Sequence, residues 1–157
     1  MLGAMMFASK LITEVLPNIH IICILIVAIT AVYRFKALLA IYTFVIISGV
    51  FYAFPLWWFP YLYIWLFPWI LTMLVPKKAP AAATIIIYSA VCFLHGILYG
   101  TLYAPYQALM FGLDFDGTIA WILAGIPFDV THAISNLCCS VLIFPLIKAL
   151  KSANKIL

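Results

Sequence analysis

Long apolar runs separated by short polar breaks dominate the chain, and the breaks recur at intervals that suit membrane-crossing helices. The first run, residues 2–16, carries Lys10 and Glu14 at i and i+4, a spacing at which they pair along one helical face. Pro17 and Asn18 end it, because a residue before proline is pushed out of α geometry. His20 opens a second run, residues 18–33, and Arg34-Phe35-Lys36 marks the next turn. A third run, 37–54, stops at Pro55. The fourth, 57–75, begins with Trp57, Trp58, Tyr61, Tyr63 and Trp65, places a kink at Pro68 and ends before Pro76-Lys77-Lys78. The fifth, 84–103, has His95 near its middle. Residues 109–125 are less regular and hold Asp114 and Asp116 without Lys or Arg, which predicts an outside loop with a short helix ending at Gly125. The last run, 127–149, has Pro127 in its first turn, where a missing amide hydrogen costs nothing.

This pattern predicts an all-α integral membrane protein with six transmembrane helices in one domain, residues 1–157. Arg34 and Lys36, Lys77 and Lys78, and Lys148, Lys151 and Lys155 fall on one side when both termini are inside. The same alternation gathers segments 17–20, 57–65, 103–107 and 129–136 towards the outer face.

Composition narrows the classes. The chain is 69% apolar and 8% charged, with a mean hydropathy of +1.27. A soluble domain carries about 25% charged residues, so lipid has to be the solvent here. A net charge of +4, spread over small clusters, is too sparse for a nucleic-acid surface. Cys23, Cys92, Cys138 and Cys139 lie within the runs without a CxxC pair, and so read as packing residues. Residues 1–7 lack a basic region, and the N-terminus is expected to belong to the mature fold rather than to a signal peptide.

Polar groups in such a chain are costly and mark ligands, partners or pathways. Asp129, His132 and Asn136 are spaced for one face of the last helix, where the carboxylate can orient the imidazole. His95 and Tyr99 share a face of the fifth, and Gly96 and Gly100 form a GxxxG pattern that permits close helix approach. With the aromatic cluster they predict a small-molecule site of Asn18, His20, Trp58, Tyr61, His95, Tyr99, Tyr106, Gln107, Asp129, His132 and Asn136. The other reading of the same groups is a structural or assembly protein whose polar cluster only ties helices together. No HxxH or HxH pair supports a metal. Ser135 beside His132 lacks a nucleophile's setting, so the chain is not expected to be an enzyme.

The chain resembles the substrate-binding S component of energy-coupling factor (ECF) transporters. The likeness rests on the six-span unit, on Ala4-Met5-Met6-Phe7-Ala8, which matches an AxxxA motif, and on the stretch from Gly125 through Pro127, Asp129 and His132 to Asn136. It implies a bacterial cytoplasmic membrane protein that binds a vitamin or precursor from outside. It further implies docking, through Ala4 and Ala8, onto a transmembrane scaffold subunit carried by two ATPase subunits. With no GxxxxGK[ST] motif in this chain, ATP would be used by those partners, and no cofactor is expected here. A thiamine precursor, a flavin-like ring, a pteridine or another water-soluble vitamin would each fit an aromatic, histidine-containing site.

Overall fold

In lipid, a backbone must satisfy its own amides, and the α-helix does so within one segment. The computed structural model describes residues 1–15, 19, 21–76 and 78–153, and all regular structure among them is helical. The helices are α1 (Leu2–Thr13), α2 (Ile22–Tyr33), α3 (Ala37–Phe51), α4 (Tyr61–Ile64), α5 (Leu66–Leu74), α6 (Ala81–Ile97), α7 (Tyr99–Phe111), α8 (Phe115–Cys139) and α9 (Ile143–Ala153). Single 3-10 turns occupy Arg34–Lys36, Leu56–Trp58 and Ser140–Leu142. Four helical runs are long and apolar enough to cross a membrane: Ile22–Phe51, Leu56–Leu74, Ala81–Phe111 and Phe115–Ala153. With 12 residues, α1 is shorter than the ~20 a perpendicular span needs.

The centre of the molecule is α2. Every residue from Ile22 to Thr30 is buried, as expected of a helix that is apolar on all sides. One core joins it to α1 and α3 through Met6, Phe44 and Trp65. A second joins it to α6 and α9 through Cys92, Ile143 and Ile147.

The first long run is not straight. Arg34 adopts φ +53°, and α3 folds back on α2, so that Ile29 and Ala40 line one crevice. A left-handed non-glycine residue costs about 1–2 kcal/mol. The arginine offsets this by donating to the carbonyls of Thr72, Met73 and Val75 at 3.4, 2.5 and 3.4 Å. A cation is thereby set on the last carbonyls of α5, where the helix dipole favours it.

Two sequence expectations are corrected. Residues 109–125 are no loop: α7 runs to Phe111, Gly112 ends it at φ +62°, and Asp114 starts α8 by accepting from the Gly117 amide at 2.8 Å. A glycine in the left-handed region and an aspartate N-cap complete the reversal within three residues. Pro127 therefore lies well inside α8 rather than in a first turn. The interruption expected from Pro68 is present as the break at Trp65, because the proline cannot donate to the Ile64 carbonyl four residues back.

A narrow seam joins α6 and α7 to α8. Ser89 Oγ donates to Ser140 Oγ at 2.9 Å, and Asn136 Nδ2 donates to the Cys92 carbonyl at 3.0 Å. At Gly96 a Cβ would come within 2.5 Å of Ala133 Cα, so the backbones touch. Gly100 closes the series on Asp129. Each step of three or four residues along α6 and α7 is answered by a similar step back along α8, which makes the pair antiparallel.

Candidate functional site

The seam leads to the site. At Leu98 the backbone departs from helical values, separating α6 from α7 and leaving amides at the α7 N-terminus without partners in the ladder. Asp129 reaches across from α8 and takes the Gly100 amide on both carboxylate oxygens, at 2.9 and 3.1 Å. The helix N-terminus favours a negative group at this point. The carboxylate thereby joins α8 to the start of α7.

Above Asp129 lies a cavity of about 360 Å³. Trp57 and Tyr61 line one side, Tyr99, Gly100 and Tyr103 a second, and Trp121, Gly125, Phe128 and Asp129 a third. The lining rings contact one another in two groups, which Trp65 joins from behind. Trp57 meets Tyr61 edge-on with centroids 5.4 Å apart, Tyr99 meets Tyr103 at 5.9 Å, and Tyr103 stacks near-parallel with Trp121 at 6.3 Å. The Tyr103 hydroxyl donates to the Trp57 carbonyl, tying α7 to the Leu56–Trp58 turn at the rim. Beside the rim, Lys10 Nζ lies 3.8 Å from Glu14, 4.3 Å from the Tyr52 ring centroid and 5.1 Å from that of Trp57. The pairing expected from i, i+4 spacing is present, and Tyr52 donates to the same glutamate at 2.8 Å.

Of the residues expected at a ligand site, Tyr61, Tyr99 and Asp129 line the cavity. His95 and His132 lie one layer behind, fully or nearly fully buried. His95 stacks on Trp65 at 5.3 Å, and His132 lies 4.7 Å from Tyr99, so both histidines set the position of Tyr99. Asn136 is committed to Cys92 deeper in the seam, and the indole of Trp58 to the Val45 carbonyl at 2.7 Å. Tyr106 stacks on Phe59 rather than on the cavity, and Gln107 is half-buried outside the lining. Asn18 and His20 lie outside the described residues.

Trp121 and Gly125 were missed because their segment read as a loop, and Phe128 because it read as one more apolar residue of the last span. The signal was present: positions 121, 125, 128 and 129 follow the i, i+4, i+7, i+8 spacing of one helical face. Trp57, Tyr103 and Gly100 were visible as members of an aromatic cluster and a packing motif, but not as lining.

On α1, Gly3, Met6 and Phe7 face inward, whereas Ala4 and Ala8 are exposed. Lys10 turns towards Tyr52, away from that exposed alanine face. Among the described residues, no three His, Cys, Asp or Glu side chains are grouped to hold a metal ion. No protein-family model, curated protein or solved structure matches the chain.

Proposed function

We propose that this protein is the substrate-binding S component of an ECF-type transporter, with six spans and both termini inside, importing a water-soluble vitamin or precursor across a bacterial cytoplasmic membrane. The observation that carries the reading is the aromatic cavity floored by Asp129. Its volume lies in the range of small-molecule sites, and its walls are almost wholly apolar with a few placed polar groups. Two further features support it. Arg34 and Lys151 line one crevice at an end of the molecule away from the cavity, as the positive-inside rule would have it for a site open to the outside. Ala4 and Ala8 form a small-residue face on α1 that internal packing leaves uncovered, suited to close approach by a scaffold subunit. Two ATPase subunits on that scaffold would supply the energy.

Co-purification with an ECF scaffold and its ATPases tests this. Wild type is expected to form a stable complex, and Ala4→Trp/Ala8→Trp to lose it while remaining folded. Absence of a complex with any such module would favour the structural reading instead, to which the satisfied Asn136–Cys92 and Ser89–Ser140 bonds already lend weight.

A further inference from the structure

We infer that the cavity selects a small organic cation, a one- or two-ring heteroaromatic or quaternary nitrogen compound, with its charge held at Asp129 and its body against the ring faces. This rests on the cavity being the ligand site, as proposed above, and adds the sign of the ligand's charge.

Three observations converge. Among the described residues, Asp129 is the only one lining the cavity that carries a formal charge. Its two oxygens share the Gly100 amide, a single donor for a group with about four acceptor sites, and the residue lines the cavity. A carboxylate 6% exposed in apolar surroundings gains strongly from an opposite charge, because attraction grows as the local dielectric falls.

The walls point the same way. Tyr99, Tyr103, Trp57 and Trp121 present π faces and edges around the carboxylate, and aromatic faces attract cations, tryptophan most of all. Lys10, at the rim, is outside the lining and already faces Glu14, so its charge is engaged. The Tyr103 hydroxyl is spent on Trp57. A carboxylate or phosphate would meet a like charge and, among the described lining residues, no cationic side chain.

One ring in three charge states provides the test. Isothermal titration calorimetry of the detergent-solubilised chain would compare 1-methylnicotinamide (cationic), nicotinamide (neutral) and nicotinate (anionic). The cation is expected to bind about tenfold more tightly than the neutral ring, with the anion weakest. In Asp129→Asn, which keeps an acceptor for Gly100, the cation's advantage should shrink to about twofold. Equal or tighter binding of the neutral or anionic ring overturns the inference, as does binding of none of the three at tens of millimolar. A cation preference that survives Asp129→Asn overturns the assignment to Asp129. If that variant does not fold, the wild-type ranking decides alone. No partner subunit is needed, so a failed ranking with an intact scaffold complex removes this inference and leaves the transporter reading, and the converse holds.

Discussion

Asp129 on α8 caps α7 by accepting the Gly100 amide with both carboxylate oxygens, and the same carboxylate floors the aromatic cavity. One side chain therefore serves the fold and the site, and substitutions can separate the two roles. Asp129→Asn retains an acceptor and should unfold at nearly the wild-type temperature in detergent. Asp129→Leu strands a buried amide and should cost about 1–3 kcal/mol. Equal thermal stability of the two variants would count against the capping role.

Gly96 and Gly100 differ in what a methyl group would meet. At Gly96 the added Cβ lands 2.5 Å from the Ala133 Cα, and backbone cannot yield, so Gly96→Ala should lower stability by about 1–3 kcal/mol. At Gly100 it lands 2.6 Å from Asp129 Oδ2, a side-chain atom that can rotate away. Gly100→Ala should therefore weaken ligand binding more than it lowers the melting temperature. Measuring both quantities on both variants checks the contrast.

Asn136 and Trp121 form a second pair of opposites. Asn136→Ala removes the bond to Cys92 in the seam and should lower stability by about 1–2 kcal/mol. Trp121→Ala deletes a half-buried cavity wall that stacks on Tyr103, and should abolish most binding with little change in unfolding. Titration calorimetry and thermal unfolding in the same detergent distinguish the two.

Arg34 holds three carbonyls with a planar fork, which an ammonium group cannot match. Arg34→Lys is expected to destabilise by roughly 1–3 kcal/mol even though the charge is kept. A melting temperature indistinguishable from wild type would mean that water satisfies the end of α5 equally well.

The helical class was legible in the sequence, because a chain this apolar has few other ways to satisfy its backbone. The polar face of α8 was also legible: Asp129, His132 and Asn136 are all buried on one side, as their spacing requires. What the spacing could not say is which helix lies opposite. That is decided by Gly96 and Gly100, whose missing side chains let α8 close in and bring Asp129 to the Gly100 amide. The start of α8 was hidden for another reason. Asp114, Asp116 and Gly117 look like loop chemistry, yet Asp114 is an N-cap and Gly117 supplies the amide that it accepts. Pro127, an apparent helix start, is carried inside a helix whose packing outweighs the ladder bond that it removes.

The seam between α6, α7 and α8 also bears on how the chain reaches its native state. Its hydrogen-bonded pairs are separated along the sequence by 29, 44 and 51 residues, in order of distance from the Gly112–Asp114 reversal. Each pair formed shortens the loop that the next must close, so the seam can zip outward from the reversal without help from the N-terminal half. The C-terminal helical hairpin is in this sense a folding unit in its own right. Of these pairs Gly100–Asp129 closes the shortest loop, so the floor of the cavity is the part of the seam that costs least entropy to form, whereas the wall of Trp57 and Tyr61 comes from a distant part of the chain.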